Sequence, residues 1–372
     1  MDRFDSIEQL LARKPDDTPV FCFYPEAFRA AARHFVGQFP GTVLYAVKAN
    51  SHPEVLQWLI EGGIRAFDTA SLAEIELVRG ILPGADCSYN HPVKPRHAIE
   101  VAWREHGIRD FVIDHPAELD KLLAVAGTDL VVQVRVAAPN PHATISFNSK
   151  FGASPEQAVA LLRAVGQRGA VPALCTHIGY QTTDPQAYAH GLRLLAEVAA
   201  NAAVRPRYIN IGGGFPSLLL PKGRTLDEYF RAINDARREC AGIAELPLKC
   251  EPGSALTHAG GTVLTQVVLV KEDAVHINDG VYGAMAEMIH VKTQPPTRVI
   301  AAGGGERSGA LRLYTVFGPT CDSYDVMPAR FLLPETLREG DWLVFDMMGA
   351  YSNVLISDFN GLGAHQFAIV GD

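Results

Sequence analysis

Lys48 is the residue whose setting most favours chemistry. It follows an apolar run, residues 43–47, in which β-branched, aromatic and small side chains alternate. Such a run predicts a buried strand, and burial lowers the pKa of a lysine because it disfavours the charged form. A neutral amine is what Schiff-base chemistry with an aldehyde requires. A solvated strand end is the alternative interpretation, since lysine is almost never fully buried.

Three consecutive glycines, Gly212, Gly213 and Gly214 (the triple glycine), follow a strand-like segment at residues 208–211. Consecutive glycines let backbone N–H groups approach a phosphate closely. In a βα barrel, the loops after the strands are where phosphates bind. The triple glycine therefore predicts a phosphate cradle, and a plain tight turn is the alternative.

Three polar side chains also come at the ends of apolar segments. Glu251 follows residues 246–250, and a carboxylate at the end of a barrel strand is a frequent site residue. His177 could stack on a flat cofactor, and Asp68 ends the short apolar segment of residues 66–68. The structural alternatives are a strand-end ion pair for Glu251, a satisfied core histidine for His177 and a helix cap for Asp68.

The C-terminal third carries two further candidates. Cys321 stands beside Asp322 in a turn rich in glycine and proline, whereas a structural cysteine would more often lie in mid-strand. Tyr351 follows a tight turn and offers a phenol as a hydrogen-bond donor.

Short apolar segments alternate with amphipathic helical stretches between residues 21 and 252. Pro, Asp or Ser often opens the helical stretches, as N-terminal positions favour. Regular βα alternation predicts a parallel sheet, and about eight units would close a barrel. We therefore expect an α/β fold with a (β/α)8 barrel over residues 21–255. The strand candidates are residues 43–47, 66–68, 111–113, 130–136, 173–177, 208–211 and 248–250.

The pattern changes after residue 255 to β-rich segments separated by turns, with little helix. This pattern predicts a second, mostly antiparallel β domain over residues 256–372, which residues 1–20 could join. The strand candidates there are residues 261–270, 273–278, 298–301, 311–316, 341–345 and 366–370.

Length and charge narrow the function classes. At 372 residues the chain is long enough for two domains with cores that need no disulfides, and a net charge of −8 argues against nucleic-acid or acidic-membrane partners. The six scattered cysteines show no metal-binding spacing, so we expect free thiols, no metal site and a cytoplasmic location. The N-terminal residues lack the pattern of a signal peptide.

Taken together, these segments resemble the fold-type III pyridoxal-phosphate decarboxylases, the family of ornithine, diaminopimelate and arginine decarboxylases with a barrel like that of alanine racemase. The resemblance covers nearly the whole chain, and the cysteine turn and the closing Phe359-Asn360-Gly361 look most like the eukaryotic-type ornithine decarboxylase branch. Single motifs are weak, but eight in family order are specific. They are Tyr45-Ala46-Val47-Lys48, Phe67-Asp68-Thr69-Ala70-Ser71, His177-Ile178-Gly179, Gly212-Gly213-Gly214-Phe215-Pro216, Glu251-Pro252-Gly253, Asp279-Gly280-Val281-Tyr282-Gly283, Gly318-Pro319-Thr320-Cys321-Asp322 and Gly349-Ala350-Tyr351.

The resemblance implies a role for each residue around the cofactor, pyridoxal 5'-phosphate. Lys48 would hold it as a Schiff base, with Asp68 supporting the site nearby. His177 would stack on the ring, and Arg135 would contact the side of its phenolic oxygen. Glu251 would pair with the pyridine nitrogen and keep it protonated, which favours decarboxylation because the pyridinium accepts the carbanion's electrons. The related racemases place an arginine there.

The same resemblance assigns the phosphate to the triple glycine and Tyr351. The chain departs from the family at two positions near this group. Ser254 stands where the family usually has an arginine, and losing that charge-assisted hydrogen bond would weaken phosphate binding by ~1.5–3 kcal/mol unless another cation substitutes. Tyr180 stands where the family has a small serine, and its hydroxyl could serve instead.

Substrate recognition is the third departure. The resemblance implies that Cys321, as general acid, and Asp322, at the distal amine, come from the partner subunit of a homodimer. Tyr282 and His290 are the other candidate substrate contacts. The family's second distal carboxylate is missing, because Ile289-His290-Val291 stands at that position.

We therefore expect decarboxylation of an α-amino acid with a polar or cationic distal group, ornithine or lysine by default, as in polyamine synthesis. A larger modified substrate, such as a carboxylated polyamine, diaminopimelate or a siderophore precursor, is one alternative. An amino-acid racemase and a non-catalytic regulator resembling ornithine decarboxylase are the others.

Overall fold

The computed structural model describes residues 1–14 and 16–371. The chain divides into two compact units, which we call the barrel unit (Ala31–Ala255) and the β unit (Met1–Ala30 with Leu256–Asp372). The expected start of the barrel at residue 21 was ten residues too early. Strand Val20–Phe23 pairs with strand Gly261–Lys271 and so belongs to the β unit.

The barrel unit contains a closed barrel of eight parallel strands. Each strand pairs with the next along the chain, and the last pairs with the first. The α/β fold with a (β/α)8 barrel is therefore confirmed. The strands are Thr42–Ala46, Ala66–Thr69, Asp86–Tyr89, Asp110–Ile113, Val131–Val136, Val171–Thr176, Ile209–Asn210 and Leu248–Cys250.

One barrel strand, Asp86–Tyr89, was not among the sequence predictions. It is four residues long and carries Asp86 and Ser88 at alternate positions, so it lacks the apolar run that marks the other strands. It forms because Ala66–Thr69 and Asp110–Ile113 flank it and complete its backbone hydrogen bonds.

Local signals start the helices that separate the strands. Ser71 accepts a hydrogen bond from the backbone of Glu74, and Ser154 and Thr225 each form a capping box. The longer helices of the chain are Pro25–Gln38, Pro53–Glu61, Leu72–Ile81, Arg96–Arg104, Pro116–Ala126, Pro155–Gln167, Gln186–Ala202 and Leu226–Glu239. Shorter ones are Ile7–Arg13, Ser254–Thr257 and Met288–Val291, and Val47–Ala49, His258–Gly260 and Phe359–Gly361 form 3-10 turns.

The β unit is built on a nine-stranded mixed sheet. Five of its strand pairs are antiparallel and three are parallel. The parallel pairs include both contacts of strand Gln366–Val370, which lies between Asp2–Phe4 and Val20–Phe23. The remaining strands are Gly261–Lys271, Ala274–Ile277, Thr297–Ile300, Leu311–Phe317, Phe331–Pro334 and Trp342–Phe345.

The core of the β unit joins the two ends of the chain. Apolar side chains from helix Ile7–Arg13 pack with Leu264, Trp342 and Val370 in one buried cluster, and this burial stabilises the N-terminal segment on the sheet. Over the residues described, the longest apolar helical stretches fall short of what a membrane crossing needs.

Candidate functional site

Lys48 lies on the 3-10 turn Val47–Ala49, directly after strand Thr42–Ala46, at the carboxyl end of the barrel. Its Nζ is 3.4 Å from Oδ2 of Asp68. The side chain is 47% exposed, so the expectation that the strand would bury Lys48 was wrong for this chain. The strand ends at Ala46, one residue earlier than expected, and Lys48 therefore lies on the turn that follows it and not on the buried strand.

Asp68 is buried at the end of the neighbouring strand, with 3% of its surface exposed. Its Oδ1 has no hydrogen-bond partner in the described part of the chain, while Oδ2 faces Lys48. The alternative of a helix cap is wrong, because Ser71 caps the helix that follows. A buried carboxylate oxygen without a partner is costly, so Oδ1 of Asp68 is suited to bind a cation or a hydrogen-bond donor of a ligand.

Glu251 follows strand Leu248–Cys250 and accepts two hydrogen bonds on one oxygen. Asn90 Nδ2 lies 2.7 Å and Asn210 Nδ2 lies 2.6 Å from Oε1. The other oxygen, Oε2, accepts none from the residues described. Burial, together with the charge of Asp68, raises the pKa of Glu251 to about 7, against the opposing effect of Lys48. The carboxyl group is thus held in place with one oxygen available for a cationic N–H.

His177 follows strand Val171–Thr176, with its ring edge-on to Phe147 at a centroid distance of 5.0 Å. The backbone N–H of Gly179 donates to its Nδ1 at 3.1 Å. Burial, with the nearby charges of Arg135 and Lys48, holds the pKa of His177 well below its usual value. The imidazole is therefore neutral and flat, as a ring that stacks on an aromatic cofactor should be.

Arg135 extends from strand Val131–Val136, two residues after Gln133 on the same face of the strand. Its guanidinium lies over the ring of Phe151 at 5.4 Å. The pKa values of His177 and Glu251 both respond to its charge. Arg135 is thus the cation on the His177 side of the site.

The triple glycine lies after strand Ile209–Asn210, where the backbone passes close to its neighbours. A Cβ at Gly212, Gly213 or Gly214 would overlap a backbone carbonyl oxygen, and Gly212 and Gly214 have φ values of +70° and +89°. No residue that the structure describes accepts a hydrogen bond from the N–H groups of Gly213 and Gly214. Two such donors on a glycine turn fit an anionic phosphate.

Ser254 and Gln181 lie together near this turn. Gln181 is fully buried with φ +48°, its Nε2 is 3.5 Å from Oγ of Ser254, and its Oε1 accepts from the backbone of Ser217. Sequence reasoning assigned no role to Gln181. Tyr180 is 7% exposed, and its backbone pairs with that of Ile145. Ser254, which stands in place of the family's arginine, thus contacts a neutral amide.

The candidates of the β unit lie on its loops. Cys321 is exposed, and its Sγ lies 3.3 Å from Oδ1 of Asn360. Tyr282 donates a short hydrogen bond to Asp322, and this bond lowers the pKa of Asp322. The pair Tyr282–Asp322 therefore presents an ionised carboxylate. His290 is exposed on helix Met288–Val291, and Tyr351 has a left-handed backbone with φ +49°.

Sequence reasoning missed three amides inside the barrel, namely Asn90, Asn210 and Gln133. Asn90 and Asn210 bind Glu251, and Gln133 binds both of them. The signal was present, because Gln133 is a buried amide in the middle of a mainly apolar strand, Val131–Val136. Its meaning depends on neighbours that are far away in the sequence.

Comparison with known proteins agrees with this geometry. Residues 26–258 match the family model described as "Pyridoxal-dependent decarboxylase, pyridoxal binding domain". The chain therefore belongs to the pyridoxal-dependent decarboxylase family. The expected cofactor, pyridoxal phosphate, and the expected reaction class, decarboxylation of an amino acid, are confirmed. Asp68, Glu251 and the triple glycine fit such a cofactor, because they offer a partnerless carboxylate oxygen, a ring-nitrogen acceptor and phosphate donors.

Three relatives illustrate the range of the family. The lysine/ornithine decarboxylase of Selenomonas ruminantium is 31% identical over 331 residues, which are 86% of this chain and 81% of that protein. Antizyme inhibitor 2 of Xenopus laevis is 30% identical over 342 residues, which are 85% of this chain and 73% of that protein. The agmatine-bound arginine decarboxylase of Paramecium bursaria Chlorella virus superimposes with a TM-score of 0.86 at 25% identity, covering 97% of this chain and 98% of that one.

Proposed function

We propose that this protein decarboxylates a basic α-amino acid of the ornithine or lysine type, with Lys48 as the residue that binds pyridoxal phosphate covalently. The observation that carries the proposal is the meeting of Lys48, Asp68, His177 and Glu251 at the carboxyl ends of four barrel strands. In barrels of this class the active site lies at that end. The named decarboxylases among the relatives support the substrate type.

The bound cofactor supplies an electron sink for the carbanion that remains when CO2 leaves. Glu251 keeps the ring nitrogen protonated by offering Oε2 to it. Asp68 orients the Lys48 amine across their 3.4 Å contact and balances its charge. His177, a neutral imidazole, would stack on the ring, and Arg135 would contact the side of its phenolic oxygen.

The phosphate is held by backbone donors rather than by an arginine. The N–H groups of Gly213 and Gly214 would supply two hydrogen bonds, and the hydroxyl of Ser254, which lies 3.5 Å from Nε2 of Gln181, would supply a third. Tyr351 and Tyr180 complete the set of phosphate contacts implied by the family. Because these donors are neutral, we expect the cofactor to dissociate more readily than from a site with a guanidinium.

We further propose a homodimer in which one protomer's loop completes its partner's site. Cys321 and Asp322 are the residues that cross over, with Cys321 returning a proton to the carbanion and Asp322 holding the distal amine of the substrate. Their position on the loops of the β unit supports this arrangement. A general acid works best where water is excluded, and Cys321 is exposed in the single chain, so the partner's surface would have to cover it. Tyr282, bonded to Asp322, fixes that carboxylate.

The other functions are less well supported. Racemases of this fold carry an arginine at the ring nitrogen, whereas Glu251 is a carboxylate. A regulator is suggested by the antizyme inhibitor among the relatives, but Lys48, His177, Glu251 and Cys321 are all present in this chain, which favours an enzyme. The six free thiols support a reducing compartment, and we propose the cytoplasm.

The test is release of CO2 by the purified protein supplied with pyridoxal phosphate. The substrates are L- and D-ornithine, L-lysine, L-arginine, meso-diaminopimelate and carboxynorspermidine, and the recovered amino acid is checked for inverted configuration. We expect release from L-ornithine or L-lysine. Release only from a larger substrate would overturn the substrate assignment, inversion without release would indicate a racemase, and failure to bind the cofactor would favour the regulator.

A further inference from the structure

The interior of the barrel contains a continuous chain of polar side chains, which we call the barrel column. It runs from Lys249 and Tyr208 through Asp110, Gln133, Asn90 and Asn210 to Glu251. Barrels of this class are usually filled with layers of bulky apolar side chains. A buried polar network is costly unless every member is bonded. Stability alone therefore does not explain why polar side chains stand here in place of apolar ones.

The base of the column is a carboxylate with three donors around it. Asp110 accepts from Nζ of Lys249 at 2.9 Å, from the hydroxyl of Tyr208 at 2.6 Å and from Nε2 of Gln133 at 2.9 Å. Nζ of Lys249 also lies 3.9 Å from the centre of the Tyr208 ring. The Asp110 and Lys249 side chains are each 13% exposed, so the pair is a fixed dipole inside the barrel.

The direction of the hydrogen bonds above Asp110 follows from its charge. An ionised carboxylate only accepts, so Gln133 must point its NH2 group at Asp110. The same NH2 group donates to Oδ1 of Asn90 at 2.8 Å, and Oε1 of Gln133 accepts from Asn210 at 3.0 Å. Gln133 is fully buried, so no water competes for these positions.

The amides at the top of the barrel column, Asn90 and Asn210, can then be oriented in only one way. Asn90, whose oxygen is taken by Gln133, can offer only its NH2 group to Glu251, and Asn210 does the same. Both amides donate to Oε1, which leaves Oε2 for another donor. Lys249 lies on strand Leu248–Cys250 and Glu251 directly follows it, while Tyr208 directly precedes strand Ile209–Asn210 and Asn210 ends it. Residues two positions apart along a strand point to the same face, so each of these pairs faces the barrel interior.

We propose that Gln133 is a positioning residue for Glu251. It transmits the orientation set by Asp110 and Lys249 to Asn90 and Asn210, so that both donate to one oxygen of Glu251 and direct the other at the ring nitrogen of the cofactor. The inference rests on the role proposed above for Glu251 and deepens it. It explains why the barrel interior contains three amides rather than leucines or valines.

The test is the variant Gln133→Met, which keeps the length of the side chain and removes no charge. In full-length protein freed of cofactor, the ionisation of Glu251 is followed by infrared difference spectroscopy against pH. The carboxyl band is assigned as the one lost in Glu251→Gln. We expect the pKa of Glu251 to rise by about one unit, because donors that are no longer oriented stabilise the carboxylate less.

Two further variants make the result decisive. Ser88→Ala is the matched control, because Ser88 is buried in strand Asp86–Tyr89 and its hydroxyl has no partner among the residues described. It should leave the pKa of Glu251 where it is. If Gln133→Met does not fold, Asn90→Leu removes one donor directly and should raise the same pKa. An unchanged pKa in either folded variant overturns the proposal.

The protein with bound cofactor gives an independent readout. The absorption spectrum of bound pyridoxal phosphate should titrate at a different pH in Gln133→Met than in wild type or Ser88→Ala. If Glu251→Gln changes neither this spectrum nor turnover, the role proposed for Glu251 fails regardless of the barrel column. If Glu251→Gln changes both and Gln133→Met changes neither spectrum nor pKa, only the inference about Gln133 fails.

Discussion

The barrel unit and the β unit hold their chemical groups in opposite ways. In the barrel unit, Asp68 and Glu251 lie at strand ends, buried or nearly so, and hydrogen bonds from Asn90 and Asn210 position Glu251. In the β unit, Cys321 is exposed and Asp322 is half-buried, both on a loop after strand Leu311–Phe317. The difference indicates that packing and hydrogen bonds within the barrel unit hold its candidate residues in place. Cys321, by contrast, is open to solvent.

The contrast follows from the way each fold ends its strands. In a parallel barrel all strands end at the same rim, so residues distant in sequence converge there. In a mixed sheet the strands end on both sides, so the loops that follow them are spread out, and Cys321 lies on an exposed loop with its Sγ 3.3 Å from Oδ1 of Asn360. The barrel unit therefore brings its candidate residues together at one rim, whereas the candidates of the β unit lie on its loops.

The largest effect on turnover should come from removing the amine of Lys48 in the barrel unit. Lys48→Ala should abolish turnover, because covalent binding of the cofactor requires a primary amine at this position. Lys48→Arg is the matched variant, since it keeps the cation beside Asp68 but cannot form the covalent bond. Both should also lose the labelling of Lys48 by borohydride in the presence of pyridoxal phosphate. Undiminished CO2 release by either variant would refute the mechanism.

Cys321→Ala should have the next largest effect and would test the contribution of the β unit. Loss of a general acid should slow turnover by roughly 100-fold and leave the carbanion to be protonated incorrectly. Binding of the cofactor to the barrel unit should be unchanged, as measured by the absorption of bound pyridoxal phosphate. A wild-type ratio of products, measured by chromatography, would exclude Cys321 from this role.

Asp322→Asn should affect substrate recognition more than chemistry. Loss of one charge-assisted hydrogen bond to the distal amine should raise KM for L-lysine roughly tenfold. L-norleucine, which lacks that amine, is the control substrate. The preference for lysine over norleucine should shrink in the variant, and an unchanged preference would place the distal group elsewhere.

The smallest effect concerns the stability of the cofactor-free protein. The pKa of Glu251 is raised to about 7 by burial, so its contribution to stability is present below pH 4.5 and is lost as the pH rises through 7. Glu251→Gln avoids this loss and should be more stable than wild type at pH 8, by at most about 3 kcal/mol. The two proteins should have similar Tm values at pH 5. An equal difference in Tm at both pH values would mean that ionisation of Glu251 is not the cause.

The sequence predicted seven of the eight barrel strands, because each carries an apolar run that local propensity alone identifies. It also pointed to Lys48, Asp68, His177 and Glu251, since strand ends and glycine turns are local features. It failed for strand Asp86–Tyr89, whose polar residues hide the pattern, and for the start of the barrel unit. Strand Val20–Phe23 looks like a barrel strand but pairs with Gly261–Lys271, a partner more than two hundred residues away.

What the sequence by itself determined is thus the family, the alternation of strands and helices and the motif residues, because these depend on neighbours within a few positions. Only the tertiary structure decided that Lys48 lies on an exposed turn, and that Asn90, Gln133 and Asn210 meet beneath Glu251. Three strands bring these amides together, and their register is set by backbone pairing between strands. Contacts of that kind depend on distances across the barrel, which spacing along the chain does not encode.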